Sequence, residues 1–157
     1  MTPALVTPLI ALRGAQRHFR SGTTDIRALT DVTLEITAGE YVALVGRSGS
    51  GKSTLLNLIS GIDQATGGEV WVDGQPLHTL REPALTLLRR RTFGFVFQAF
   101  NLLPTLSVLE NIILPGQLEG TPRGRLVERT MSLLSQMGLE HRAGEPPDRL
   151  SGGEQQR

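Results

Sequence analysis

Three observations predict an α/β fold. An apolar run from Tyr41 to Val45 feeds a glycine-rich loop and then a helical segment. Strand-like alternation precedes that loop, and helix signals dominate from about residue 107 onward. The order is therefore strands first, a mixed α/β centre, and helices last.

Taken along the chain, Leu9 to Arg13 forms the first candidate strand. Val32, Leu34 and Ile36 alternate with Thr33 and Glu35, the period of a half-buried strand. Ala38-Gly39-Glu40 then turns the chain into Tyr41-Val42-Ala43-Leu44-Val45. Its near-continuous apolarity fits a parallel strand covered on both faces. The loop Gly46 to Gly51 follows. Lys52 to Ser60 reads as a helix with Leu55, Leu56, Leu58 and Ile59 as its apolar residues, and Gly61 is placed to end it.

Further on, Gly67-Gly68 and Asp73-Gly74 bracket a short strand, Glu69 to Asp73. Pro83 to Arg91 is the next helix candidate, and Phe93 to Gln98 another apolar strand. Ser107 and Glu110 match the capping box S-x-x-E, so a helix starts there, and Pro115-Gly116 is expected to end or kink it. Thr121-Pro122 supplies an N-cap followed by proline at the first helical position. Leu126, Val127, Thr130, Met131, Leu134 and Met137 then share one helical face, which Gly138 closes.

Composition narrows the function classes. Sixteen basic residues against fifteen acidic leave a net charge of +1, so the chain makes no strong electrostatic claim on nucleic acid. Aromatic residues at 4% also argue against a set of base-stacking platforms. There is no cysteine, hence neither disulfide nor thiolate metal site. His18, His78 and His141 lack metal-ligand spacing and are expected at the surface. Arg89-Arg90-Arg91 at a helix end is expected to be a solvated basic face. Met1 to Leu12 lacks the basic start of a signal peptide and is interrupted by Pro3 and Pro8. No apolar run approaches the roughly 20 residues that span a bilayer. Any link to a membrane is expected to run through a partner.

The loop carries the chemistry. Gly46-Arg47-Ser48-Gly49-Ser50-Gly51-Lys52-Ser53 satisfies G-x-x-x-x-G-K-[ST] between a predicted strand and a predicted helix, the context that defines a P-loop. Glycines let the backbone wrap closely round phosphate, and the amides from Gly49 to Thr54 form an anion nest at the positive end of the helix. Lys52 supplies a point charge for the outer phosphates, and the Ser53 hydroxyl a ligand for Mg²⁺. A chance match in a chain of this length is on the order of 1%.

The far end of the chain selects among P-loop proteins. Leu150-Ser151-Gly152-Gly153-Glu154 resembles LSGGQ, the signature motif of ABC ATPases, with Glu154 in place of the usual glutamine. Between the two motifs, Phe93 to Gln98 resembles the strand leading to the Q-loop glutamine, and Phe100 to Pro104 and Leu109 to Ile112 resemble the segment after it. The resemblance runs from about residue 9 to the end and is strongest to the lipoprotein-release and macrolide-export branch. It implies a P-loop NTPase core with an antiparallel β-subdomain and a helical subdomain, divided at residues 98 and 99.

The same resemblance implies roles. Phe19 stacks on adenine, with a core phenylalanine as the alternative. Gln98 places its side-chain oxygen near Mg²⁺ and reports the nucleotide state to a membrane partner. Ser151, Gly152, Gly153 and Glu154 lie at ATP held by the P-loop of a second ATP-binding subunit. The apolar stretch Phe100 to Leu106 either receives the transmembrane permease subunit or packs within its own helical subdomain. The implied setting is the cytoplasmic face of the plasma membrane.

The family's Walker B aspartate, catalytic glutamate and switch histidine follow the signature, and the sequence given closes at Arg157. Val70-Trp71-Val72-Asp73 stands too early in the order to serve. The expectation is an N-terminal portion that leaves apolar sheet surface uncovered and binds ATP without appreciable hydrolysis. A non-hydrolysing remnant and a soluble ABC ATPase of DNA repair or translation stay open as alternatives. The short interval between motifs and the lack of a large basic block weigh against the last.

Overall fold

The computed structural model describes residues 7–22 and 24–157. The chain divides into two compact units, one up to Gly94 and one from Phe95 to Arg157.

The first unit is built on an antiparallel sheet of order β2-β1-β3-β4, comprising β1 (Ile10–Ser21), β2 (Thr24–Ile36), β3 (Gly67–Val72) and β4 (Gln75–Pro76). β1 outruns the predicted Leu9 to Arg13 because it pairs with β2 along its whole length, from Ile10 with Ile36 to Ser21 with Thr24. On its other edge Ile10 faces Val72 and Leu12 faces Val70. These alternate residues point to one side of the sheet. Against that side packs the helix α1 (Lys52–Ile59) through Leu55, Leu58 and Ile59, with Leu77 and Leu85 closing the core. The helix α2 (Ala84–Thr92) contributes Leu85.

Leu58 is 1% exposed. Leu58→Ala is expected to lower the stability of this unit by about 2–5 kcal/mol, the range for emptying a packed leucine site. Urea unfolding followed by Trp71 fluorescence, in β3 of the same unit, reads that loss.

Two predicted strands do not form. Tyr41 to Val45 and Phe93 to Gln98 belong to no sheet, and Tyr41, Val45 and Val96 are 98%, 93% and 103% exposed. An apolar run becomes a central parallel strand only with hydrogen-bonded neighbours and both faces covered. Among the described residues no strand flanks either run. Leu44 and Phe93 turn inward, packing against the core of the first unit.

Two further readings are corrected here. Arg89 is no solvated cation: it donates to the carbonyl of Gly61 at 2.6 Å, to Glu82 at 2.6 Å and to Thr86 at 2.8 Å. It ties α2 to the end of α1. His18 is half-buried in β1, with Nε2 enclosed and, among the described residues, without a hydrogen-bond partner. His78 and His141 are exposed as expected.

The second unit packs three helices, α3 (Val108–Leu118), α4 (Arg123–Gln136) and α5 (Gly152–Gln156), with two short 3₁₀ turns between α4 and α5. The predicted capping box is complete: Ser107 Oγ accepts from the amide of Glu110 at 3.2 Å, and the Glu110 carboxylate accepts from the amide of Ser107 at 2.9 Å. Pro115 neither ends nor interrupts α3, which runs on to Leu118. It costs one hydrogen bond of the ladder. At α4, Pro122 rather than Thr121 is the N-cap, one residue later than predicted. On the predicted α4 face, Thr130 and Leu134 are buried and Met137 is exposed. Val108, Leu134, Leu139 and Leu150 form the core, with Met131 and Ala143 beside it.

Candidate functional site

The loop at 46–51 leads into α1 through Gly51, whose φ of 87° is left-handed and which gives the helix no side-chain cap. The first-turn amides of Lys52, Ser53 and Thr54 therefore have no intrahelical acceptor. No acidic residue lies in that turn to compete with an anion. The Ser50 amide donates to the carbonyl of Arg47 at 3.2 Å, tightening the loop. Lys52 turns its ammonium back over the loop, donating to the carbonyls of Gly46 at 2.8 Å and Arg47 at 2.7 Å. Ser50 Oγ lies 3.4 Å from the same nitrogen. One cation thus sits over a ring of backbone with Ser48, Gly49 and Ser50 exposed around it. This donor set fits a phosphate chain.

The sheet fixes where the loop stands. In β2, Ala28 is an extra residue between the pairs Arg17–Leu29 and His18–Arg27, a bulge. The Ala28 carbonyl and the Leu29 side chain both lie against Gly51. Sequence reasoning missed this bulge, because register shifts leave no composition signal.

Phe19 lies two residues beyond Arg17 on β1, opposite Ile26, with 38% of its surface exposed. It is no core phenylalanine. The Arg17 guanidinium covers one face of the ring, 4.5 Å from its centroid.

Gln98 and Ser151 to Glu154 belong to the second unit. Gln98 is exposed in irregular backbone. Ser151 caps α5 in a second complete capping box: its Oγ accepts from the Glu154 amide at 3.3 Å and donates to the Glu154 carboxylate at 2.7 Å. Arg142 holds the other carboxylate oxygen at 3.2 Å. Glu154 is thus the N3 residue of S-x-x-E, and the same pattern read at Ser107 was legible here too.

The Ser151 hydroxyl, then the Ser151 amide and Arg142, hold the Glu154 carboxyl down at about 2 from its ordinary 4.5. A depressed folded value means that the cap stabilises the fold fully above about pH 4.5 and loses that contribution as pH falls toward 2. NMR titration of the Glu154 carboxyl is expected to give a midpoint near the lower figure. A midpoint near 4.5 would show the box open in solution.

Asn111 is another residue the sequence did not single out. It accepts from the amide of Leu103 at 2.7 Å and donates to the carbonyls of Leu103, Leu106 and Ser107 at 3.0–3.1 Å. The loop it holds presents Phe100 and Leu103, both more than 40% exposed.

A glycine loop with a lysine folded over it, opening a helix that packs on a sheet, defines an α/β chain of the P-loop NTPase class. Residues 29–157 match the family described as ABC transporter, and the chain belongs to that family of ATPases. It is 45% identical over 157 residues to a macrolide export ATP-binding/permease protein MacB of Hyphomonas neptunium, covering all of this chain and 24% of the relative. An uncharacterised ABC transporter ATP-binding protein of Mycobacterium tuberculosis is 47% identical over 96% of this chain and 60% of its own length. Among solved structures, the ATP-binding cassette MJ0796, a dimer in a post-hydrolysis state bound to ADP and Pi, superposes with a TM-score of 0.82. It is 40% identical, and the match covers 93% of this chain and 65% of that one. The chain thus spans less than two thirds of these relatives. Among the described residues no helix is long and apolar enough to cross a membrane.

Proposed function

We propose that this chain is the nucleotide-binding part of an ABC transporter ATPase, coupling ATP binding and hydrolysis to substrate movement through partner transmembrane permease subunits. The observation that carries the reading is the uncapped start of α1 with the Lys52 ammonium poised over the loop. Gly46 to Thr54 bind the phosphates, with Lys52 on the outermost, and Phe19 offers its open face to adenine.

Mg²⁺ belongs to the same site. Among the described residues no cluster of three His, Cys, Asp or Glu could hold a metal ion by itself. The exposed Ser53 hydroxyl is the ligand that the loop's own unit offers a divalent ion, beside the nucleotide's oxygens and water. Bound there, the ion neutralises charge on the phosphates.

Ser151, Gly152 and Gly153 serve ATP held by a second ATP-binding subunit, so that nucleotide joins two copies. The dimeric MJ0796 cassette supports this reading by analogy. Phe100 to Leu106, held by Asn111, is the surface we assign to the permease, and the proposed setting is the cytoplasmic face of the membrane. The test of the core reading is titration calorimetry of Mg-ATP on this chain and on Lys52→Ala. Binding that survives the substitution overturns it.

A further inference from the structure

We propose that Arg17 is a positioning residue for the nucleotide base: anchored by Asp63, it backs one face of Phe19 and leaves the other for adenine. The inference rests on the reading of Phe19 as the stacking residue. Arg17 and Phe19 stand two apart on β1, hence on one side of the strand. The Arg17 guanidinium lies 4.5 Å from the ring centroid while its Nε donates to Asp63 Oδ2 at 2.8 Å.

Both charged side chains are only 22% exposed. The guanidinium is therefore compensated, and it stays on the ring rather than straying toward an incoming phosphate. Arginine suits the task because its planar group stacks and bonds a carboxylate at once, which an ammonium cannot do.

Asp63 is itself held. Its amide donates to the carbonyl of Asn57 in α1 at 3.1 Å, and its Oδ1 accepts from the amide of Gln64 at 2.8 Å. A short rigid path thus runs from Lys52 at the start of α1, through Asn57 and Asp63, to Arg17 and Phe19. The helix that presents the phosphate amides also sets the plane of the ring. An exposed phenylalanine without such backing samples several rotamers and must be ordered on binding. Arg17 removes that cost in advance.

The experiment compares Mg-ATP with magnesium tripolyphosphate, which carries the phosphates and no base, by titration calorimetry on the whole chain. Arg17→Ala is expected to weaken Mg-ATP roughly three- to tenfold and to leave tripolyphosphate unchanged. Asp63→Asn, which keeps both the guanidinium and the ring, is expected to act in the same direction and guards against a folding defect in the first variant. In a Phe19→Ala background, Arg17→Ala is expected to have no further effect.

Equal losses for both ligands, or additive losses in the Phe19→Ala background, overturn the proposal by making Arg17 a purely structural residue. A loss of Mg-ATP in Phe19→Ala with none in Arg17→Ala overturns it while leaving the stacking reading intact. Unchanged Mg-ATP binding in Phe19→Ala removes the stacking reading and the proposal together. No binding of either ligand by the unaltered chain overturns both, along with the phosphate site.

Discussion

Lys52→Ala is expected to reduce Mg-ATP affinity at least about a hundredfold while hardly moving the melting temperature. The structure places this ammonium over the loop, bonded to the Gly46 and Arg47 carbonyls. Phosphate oxygens offer it stronger partners than those carbonyls, since charge-assisted bonds to an anion contribute about 1.5–3 kcal/mol each. Two such bonds amount to at least about a hundredfold in affinity. Stability behaves differently because both existing bonds are at the surface, where water replaces a lost partner at little net cost. Titration calorimetry and a thermal melt on the same samples separate the two effects. A large fall in melting temperature with the affinity loss would make Lys52 a structural clamp, and unchanged affinity would put the nucleotide elsewhere.

Legibility followed the range of the interaction that fixes each feature. Helix starts and stops are local, so Ser107, Gly61 and Gly138 declared α1, α3 and α4 within a residue or two. The P-loop was legible for the same reason: its glycines, lysine and helix are contiguous. The sheet was harder. β1 gains its length from pairing with β2, and hydrophobic alternation stops well before Ser21. Tyr41 to Val45 has the right composition for a central strand, but pairing partners decide whether a strand exists, and the described residues offer none. The site residues divide in the same way. Lys52 and Ser53 come with their motif, whereas Arg17, Ala28 and Asp63 matter only through contacts spanning β1, β2 and α1. Glu154 is the exception, since its capping box was written locally and was overlooked beneath the signature reading.

Two loop glycines allow the contact between sheet and P-loop to be weighed. Both Gly49 and Gly51 have left-handed backbone, with φ of 78° and 87°. Alanine at either position carries a backbone penalty of about 1–2 kcal/mol. At Gly49 no described residue lies within 4 Å of an added Cβ, so that penalty is the whole expected cost. At Gly51 the new Cβ falls 2.5 Å from the Ala28 carbonyl oxygen and 2.9 Å from Leu29 Cδ2. Leu29 can adjust its side chain, but Ala28 is the bulge residue, fixed by the pairs on either side of it. Overpacking of this kind adds about 1–3 kcal/mol. Gly51→Ala is therefore expected to cost about 2–5 kcal/mol in all, a fall of roughly 10 °C or more in the melting temperature of a unit this size. Because relief requires moving the start of α1 away from β2, Mg-ATP affinity is expected to fall with it, whereas Gly49→Ala keeps the helix in place. Thermal melts and calorimetric titrations of the two variants side by side decide the matter. Equal effects would show that the loop, not its seat against the bulge, governs both stability and binding.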